Sequence, residues 1–244
     1  MSNDAPANRE DTIQQLMTTL RQRWGENALQ RLADVRSTDS QQSLPTSWTV
    51  LDAATGLNGL PRGHLTECLG QPTSGMTTFA HKVIASAQAE NDIAAYIDSD
   101  QTVDPHYATR CGVNLDALLL VQPEDAKHAL AIARDLITTG VIGLLVLDMG
   151  ARHSTASFRR LVPALTNSAS AMLVLATTSV CEQASLRLRF TREAWITNGY
   201  RVIVSIEKNK FAPPHPPVTF DLIPCDGGSN AGGNNADNGT GSTR

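Results

Sequence analysis

The N-terminal residues carry an apolar stripe with the spacing of one helix face. Within residues 10–34, apolar side chains recur at steps of three and four residues, which predicts an amphipathic helix. The polar stretch "VRSTDSQQSLPTSW" follows and predicts a linker. The stripe must be buried on its own domain or on a neighbouring molecule, and we expect an interface helix and linker over residues 1–45. The stripe residues that would dock are Ile13, Leu16, Leu20 and Trp24.

From residue 65 onward, short apolar runs alternate with segments of helical spacing. Apolar runs bounded by turn residues are typical of buried strands, and the segments between them are rich in helix formers. The pattern predicts an α/β domain with a mostly parallel central sheet. The apolar runs cover residues 65–69, 93–100, 118–122, 141–148 and 171–178, and the helical segments cover residues 75–90, 105–112, 124–140 and 154–168.

The C-terminal third has a different pattern. Residues 185–195 and 200–210 alternate apolar and polar side chains, and Asn198-Gly199 between them is a strong hairpin-turn signal. Residues 216–223 would supply a last strand. We therefore expect a core over residues 46–224 that ends in an antiparallel hairpin, followed by a disordered Gly/Asn-rich tail over residues 225–244.

Composition places the chain in the ordinary globular class. Hydrophobic residues make up 41% of the 244 residues and charged residues 18%. No apolar run approaches the roughly 18 residues that a membrane span needs. The first residues also lack the basic and apolar pattern of a secretory signal. We expect a cytoplasmic protein without a membrane partner.

The net charge of −4 hides a basic segment. Residues 150–211 contain nine Lys and Arg but only three Asp and Glu. Such a segment is typical of a nucleic-acid surface or of a solvated protein face, and charge alone does not choose between them. The arginines that would contact nucleic acid are Arg152, Arg159, Arg160, Arg187, Arg189 and Arg192.

Residues 70–77 match the phosphate-binding pattern G-x-x-x-x-G-K-[ST], except that Met76 stands at the lysine position. In such a loop, backbone N–H groups bind phosphate independently of side chains. Thr77 would hold Mg²⁺ with support from Asp148, and Asp100 ends the adjacent strand where a base would orient water. The predicted nucleotide-binding residues of this segment are Gly70, Thr73, Ser74, Gly75, Met76, Thr77 and Thr78.

Met76 removes the cation that such a loop normally carries. Losing one charge-assisted contact costs about 1.5–3 kcal/mol, roughly tenfold to a hundredfold in affinity. Electrostatic stabilisation of the transferred phosphoryl group is most of what these sites contribute to catalysis. Lys82 is a poor replacement, because six positions along a helix turn it away from Met76. We expect weak ATP and Mg²⁺ binding and very little or no ATP hydrolysis.

Several segments resemble the RecA family of recombinases in the same order along residues 10–223. They include "RQRWGENALQRLAD", "LDAATGLNGLPRGHLTECLGQPTSGMTT" and "EKNKFAPP". The resemblance implies a RecA-like core of the phosphate-loop NTPase class. It places Asp100 at the catalytic carboxylate, Asp104 and Tyr107 at the ATP adenine, and Asp148 at the metal-supporting carboxylate. It also implies that Lys208 and Lys210 reach the ATP of a neighbouring subunit in a filament.

The departures from the family pattern concern catalysis and DNA. Met76 replaces the lysine, and no glutamine stands near residues 177–179, where the family has its sensor. The segments after residues 148 and 178 are too short for the two DNA-binding loops of RecA, so DNA would not be contacted through such loops. Among RecA relatives the chain is most similar to the ImuA-type (SulA-like) accessory proteins.

This resemblance implies an adaptor in the SOS response and translesion synthesis. The expected partners are a RecA-type recombinase filament and an ImuB-type polymerase homologue or an error-prone polymerase. Two other hypotheses stay open. One is a divergent ATP- and single-stranded-DNA-binding recombinase or recombination mediator with weak DNA-dependent ATPase activity. The other is a DNA-binding module that uses the basic segment without nucleotide.

Overall fold

The computed structural model describes residues 43–149 and 158–224, together with five residues of an N-terminal helix. The chain divides into two compact units, Met1–Gln42 and Ser43–Arg244. In the first unit, the five described residues are helical and exposed. The predicted docking stripe of Ile13, Leu16, Leu20 and Trp24 lies outside the described residues, as do Arg152 and the tail from residue 225 onward. The five described residues are Gln15, Thr18, Thr19, Gln22 and Arg23.

The second unit is built from ten strands and five α-helices within its described part. The strands are β1 Ser43–Leu44, β2 Leu60–Pro61, β3 Leu65–Leu69, β4 Ile93–Asp98, β5 Leu118–Val121, β6 Ile142–Asp148, β7 Ala171–Ala176, β8 Leu186–Ile196, β9 Gly199–Asn209 and β10 Val218–Leu222. The helices are α1 Thr49–Thr55, α2 Met76–Ala89, α3 Pro105–Arg110, α4 Ala126–Thr138 and α5 Val162–Thr166. Short 3-10 turns lie at Leu115–Ala117 and Phe158–Arg160.

Eight strands form the main sheet, in the order β10-β9-β8-β3-β7-β6-β4-β5. The six strands from β8 to β5 are parallel, while β9 and β10 are antiparallel to their neighbours. Asn198 has a φ of 66° in the turn between β8 and β9, a conformation that asparagine tolerates. The predicted fold class, a mostly parallel sheet with a C-terminal antiparallel hairpin, is confirmed.

Helices cover both faces of the sheet. On one face, α2 packs Phe79 and Ile84 into a core that includes Val146 of β6. On the other face, α4 packs Ile137 into a second core that includes Leu145 of β6. Neighbouring residues of one strand therefore serve opposite cores, which is why these strands are almost continuously apolar.

Three local predictions need correction. The apolar strand β5 is not buried, because it forms an edge of the sheet and leaves Leu119 and Leu120 about half exposed. The helix predicted over residues 154–168 is, in its described part, only a 3-10 turn and the five-residue α5. Helix α1 and the two-stranded β1–β2 sheet were not predicted, because such short elements have no clear periodicity. Within the described residues, no helix is long and apolar enough to cross a membrane.

The β8–β9 hairpin extends past the carboxyl end of β3. Each of its strands has eleven residues, but only residues 186–189 of β8 pair with β3. The remainder of the hairpin projects beyond Leu69, the residue after which the predicted phosphate loop begins. The fold therefore places the hairpin tip beside that loop.

Candidate nucleotide-binding site

The predicted phosphate loop joins β3 to α2, and its two glycines are required by close contacts. Gly70 donates its N–H to the carbonyl oxygen of Ala176 at 3.2 Å, and a Cβ there would lie 2.3 Å from Ser74 Oγ. Gly75 has a φ of 104°, and a Cβ there would lie 2.5 Å from Leu222 Cδ1 and 2.8 Å from Tyr200 Cε2. Only glycine fits both positions.

The loop has the features of an anion cradle. Helix α2 begins at Met76 without a side-chain cap, so the N–H groups of its first turn have no intrahelical partner. Thr77 is exposed in that turn, and Ser74 Oγ is buried without a hydrogen-bond partner in the described part of the chain. Uncapped N–H groups at a helix N-terminus bind phosphate, and a buried hydroxyl needs a partner. The residues present therefore fit a phosphate group, with Thr77 able to hold its Mg²⁺.

Met76 is used for packing. Its side chain is half-buried and contacts the core under α2. An apolar side chain in this place neither donates a hydrogen bond nor carries charge. The residue at the lysine position of the motif thus packs against the hydrophobic core in this protein.

Two tyrosine hydroxyls meet at Thr78, the residue after the metal-binding position. Thr78 Oγ1 lies 2.6 Å from Tyr107 OH and within hydrogen-bonding distance of Tyr200 OH. Burial raises the pKa of Tyr200, so its phenol stays protonated at neutral pH. Sequence reasoning identified Tyr107 and missed Tyr200, which carries no signal beyond its place after the hairpin turn.

Carboxylates gather at the carboxyl ends of β4 and β6, on the same edge as the loop. Asp98 and Asp148 are partners in adjacent strands, and Tyr96 donates its O–H to Asp148 Oδ2 at 2.7 Å. Asp98 accepts the N–H groups of Thr102 and Val103 at 3.1 and 2.9 Å, so it holds the turn after β4. Only β7 lies between β3 and β6, which puts Asp148 roughly 10 Å across the sheet from the start of the loop.

Asp100 is half-buried in the turn after β4, and Asp104 begins α3. The Asp104 carboxylate accepts the N–H groups of His106 and Tyr107 at 2.9 and 3.3 Å. This cap fixes the helix that presents Tyr107 to Thr78. The expected adenine contacts of Asp104 and Tyr107, and the base role of Asp100, stay predictions.

His81 is a buried histidine that the sequence did not single out. It lies one turn after Thr78 on α2, with ring centroids 5.7 Å from Tyr96 and 6.0 Å from Tyr107. Neither ring nitrogen has a hydrogen-bond partner among the residues that the structure describes. Burial lowers the pKa of His81 to about 4, partly offset by Asp104, so the ring is neutral at physiological pH.

The connection between β7 and β8 is fixed to a buried carboxylate. Glu67 of β3 is fully buried and accepts the N–H groups of Val180 and Cys181 at 2.6 and 3.0 Å. It also accepts hydrogen bonds from Ser179 Oγ at 3.0 Å and from Arg187 Nε at 2.6 Å. Residues 177–185 therefore form a short, anchored loop. Sequence reasoning missed Glu67, although an acid inside a short and mostly apolar strand was a visible signal.

Lys208 and Lys210 are not brought to the loop of their own chain. Lys208 is in register with Arg187, on the amino-terminal side of Leu69, and its Nζ donates to the carbonyl oxygen of Glu182 at 2.8 Å. Lys210 follows β9 and donates its backbone N–H to the carbonyl oxygen of Ser185 at 3.0 Å. Their predicted reach to a neighbouring subunit stays a prediction.

Three hairpin arginines are already paired with carboxylates. Arg187 binds Glu67, Arg189 binds Glu207, and Arg201 binds Asp221. Arg187 and Arg189 were candidates for nucleic-acid contact, and both charges are engaged within the chain. Arg159 and Arg160 line a groove beside α4, of about 590 Å³, together with Lys127 and Arg134.

Comparison with known proteins identifies similar sequences. Residues 11–157 match the family described as the RecA N-terminal domain. The chain is 30% identical to the RecA protein of Cutibacterium acnes, in an alignment that covers 90% of this chain and 75% of that protein. It is 32% identical to RecA of Chlorobium limicola, covering 84% and 71% of the two chains. It is also 32% identical to RecA of Kineococcus radiotolerans, covering 94% and 78%.

Proposed function

Because the chain belongs to the RecA family, we propose that it is a catalytically degenerate, RecA-related accessory protein of DNA repair. Its proposed setting is the cytoplasmic response to DNA damage, in SOS mutagenesis and translesion synthesis, as its resemblance to the ImuA-type proteins implies. It would dock on a RecA-type filament and on an ImuB-type or error-prone polymerase. The observation that carries the proposal is Met76, whose side chain packs against the core at the position of the phosphate-binding lysine.

The anchored loop after β7 supports the same proposal. Residues 177–185 connect β7 to β8, and Glu67 holds the N–H groups of Val180 and Cys181 near their middle, so this short connection would leave little chain for a DNA-binding loop. A chain with such a connection would not pair DNA strands as a recombinase does. The interface features of the family are more complete, because the N-terminal helical segment and both lysines of "EKNK" are retained.

Lys208 and Lys210 would serve a neighbouring molecule. Lys208 is level with Glu67 in the middle of β3 and Lys210 lies near the amino end of that strand, whereas the phosphate loop follows its carboxyl end. Their own loop is therefore a poor target, and a nucleotide held by an adjacent subunit is a better one. This arrangement supports docking against the end or the side of a RecA-type filament.

Nucleotide would act in this protein as a bound signal rather than as fuel. Gly70, Gly75 and the buried Ser74 hydroxyl would form a cradle for the phosphates of ATP, and Thr77 with Asp148 would hold Mg²⁺. Bound Mg²⁺ neutralises phosphate charge when it is present. Without a lysine, the cradle would bind ATP weakly and hydrolyse it very slowly.

The docking hypothesis is tested by cosedimentation with filaments of the cognate RecA-type recombinase. We expect the full chain to pellet with filaments, and the double variant Leu16→Asp, Leu20→Asp to stay in the supernatant. The matched control is Gln15→Asp with Thr19→Asp, two exposed positions of the same helix, which should still pellet. The hypothesis is wrong if neither the unchanged chain nor the control pellets with filaments. It is also wrong if the stripe variant pellets to the same extent as the unchanged chain and the control.

A second candidate function is a divergent ATP- and single-stranded-DNA-binding recombinase or mediator with weak ATPase activity. The buried, unpartnered Ser74 hydroxyl beside an uncapped helix favours it, because a discarded loop has no need for an unpaired buried hydroxyl. This candidate predicts ATP hydrolysis that single-stranded DNA stimulates and that Asp148→Ala abolishes. Absence of stimulated hydrolysis in the unchanged chain would eliminate it.

A further inference from the structure

The phosphate loop has a basic neighbour that does not come from its own motif. Arg192 of β8 donates from Nη1 to the carbonyl oxygen of Thr73 at 3.2 Å. Thr73 lies within the loop, where its φ of 68° marks the bend before α2. A cation therefore touches the loop that Met76 leaves without one.

The hairpin places Arg192 on the same side of the sheet as the phosphate loop. Arg192 is in register with Val202, and Val202 Cγ1 lies 3.2 Å from the position that a Cβ on Gly75 would occupy. Tyr200 of the same strand reaches Gly75 and Thr78. The hairpin tip thus follows the loop from Thr73 to Thr78.

Arg192 is also the hairpin arginine whose charge has no carboxylate partner among the described residues. Arg187, Arg189 and Arg201 each bind an acid, whereas the contacts of Arg192 are the Thr73 carbonyl and an aromatic ring. A guanidinium has five N–H donors, and one hydrogen bond leaves most of them available to an anion.

Trp195 holds the guanidinium in place. Arg192 Cζ lies 4.5 Å from the centroid of the Trp195 ring, and Trp195 itself packs edge-on against Tyr200 at 5.8 Å. Trp195 is 71% exposed, an unusual state for the largest apolar side chain. A cation–π contact restricts the motion of the arginine without neutralising its charge.

We propose that Arg192 supplies the cation that the phosphate loop lacks at Met76, with Trp195 as its positioning residue, and that it binds the phosphate chain of a nucleoside triphosphate. This inference rests on the proposed nucleotide binding and names the residue responsible for it. The arginine would bind and orient the phosphates from the adjacent strand, whereas the usual lysine does so from the first turn of the helix. The bidentate geometry of a guanidinium suits a phosphate group.

The test measures binding of MgATP and of adenosine by isothermal titration calorimetry, using the full chain and single variants. Arg192→Ala should weaken MgATP binding by roughly tenfold to a hundredfold, while adenosine binding changes less than about twofold. The MgATP affinity of Arg192→Lys should lie between those of the unchanged chain and Arg192→Ala. Trp195→Leu should weaken MgATP binding by a few fold. The control Arg201→Ala removes an arginine of the same hairpin that is paired with Asp221 and should leave both affinities unchanged. Thermal unfolding of each variant reports whether it is folded, and Arg192→Gln replaces Arg192→Ala if that variant is not.

A rescue arm separates this inference from the proposed function. Met76→Lys should restore MgATP affinity in the Arg192→Ala background by more than it raises affinity in the unchanged chain. MgATP binding that is equal in the unchanged chain and Arg192→Ala overturns the inference and leaves nucleotide binding intact. MgATP binding by Met76→Lys but not by the unchanged chain overturns it as well, because Arg192 then does not replace the lysine. If neither the unchanged chain nor Met76→Lys binds MgATP, the nucleotide part of the proposed function itself is wrong. An equal loss of adenosine affinity in Arg192→Ala would show a structural role and also refute the inference.

Discussion

Glu67 should be the most important single polar side chain for the stability of this fold. It is fully buried on the central strand β3, next to Arg187, whose side chain is 19% exposed. One carboxylate oxygen accepts two backbone N–H groups from the loop after β7, and the other accepts the Ser179 hydroxyl and the Arg187 Nε. Its replacement by an apolar residue removes four hydrogen bonds. It leaves two backbone donors without their acceptor and a partly buried cation without its counter-ion, although Arg187 still donates from Nη2 to the Cys181 carbonyl oxygen at 3.1 Å.

The expected magnitude depends on what replaces the carboxylate. Glu67→Gln keeps an oxygen for the backbone donors but loses the charge-assisted bond to Arg187, which costs about 1.5–3 kcal/mol. Glu67→Leu removes every acceptor and should cost about 3–5 kcal/mol, the range for breaking a buried ion pair from one side. Adding Arg187→Leu to Glu67→Leu removes the stranded charge, so the double variant should be more stable than the sum of the two single changes predicts.

Urea unfolding followed by tryptophan fluorescence measures these differences. The control is Arg201→Ala, which breaks the exposed pair with Asp221 and should cause no resolvable change. Limited proteolysis adds a local measurement, because residues 177–185 should become cleavable in Glu67→Leu before the rest of the chain unfolds. If Glu67→Leu unfolds at the same urea concentration as the control and its loop resists protease, the carboxylate does not anchor the loop and the reasoning is wrong.

Three further predictions concern the phosphate loop and its helix. The pKa of His81 is about 4 in the folded chain and roughly 6.5 in the unfolded chain. The contribution of His81 to the free energy of unfolding is therefore complete above pH 6.5 and falls as the pH drops towards 4. Urea unfolding should show that the free energy of unfolding is roughly 2 kcal/mol lower at pH 5 than at pH 8, a loss that is absent from His81→Phe. Equal losses in the unchanged chain and in His81→Phe would contradict this prediction. Gly75→Ala should cost about 1–3 kcal/mol more than Gly140→Ala, because both have positive φ but only Gly75 is crowded, and equal midpoints would refute the crowding argument. Tyr200→Phe should lower stability by about 1 kcal/mol through its lost hydroxyl contact with Thr78, and an unchanged unfolding curve would argue against that contact.

Features that depend on neighbouring residues in sequence were predictable. The glycine spacing after an apolar run identified the loop between β3 and α2, and Asn198-Gly199 identified the hairpin turn. Gly140, with a φ of 72°, follows the end of α4 as expected. In each case the signal is a local conformational requirement, so the residue type carries it directly.

Features that depend on distant contacts were not predictable. The contacts between Glu67 and Arg187, between Thr73 and Arg192, and between Thr78 and the tyrosine that follows the hairpin turn each join positions about 120 residues apart. In the sequence, Arg187 and Arg192 belonged to one group of six basic residues with no sign of their different roles. Register in the sheet separates them, because the pairing of β8 with β3 decides which arginine faces the buried acid and which reaches the loop.

The strand β8 therefore connects the two departures from the RecA pattern. At its start, Arg187 helps Glu67 anchor the short connection that stands where a DNA-binding loop is expected. Five residues further on, roughly 16 Å along the strand, Arg192 contacts the phosphate loop that lacks its lysine. Both contacts use a strand that lies directly beside β3. Two of the three arginines of β8 thus account for an anchored loop at one end and a basic neighbour for the predicted phosphate loop at the other, as the proposal of nucleotide binding without turnover requires.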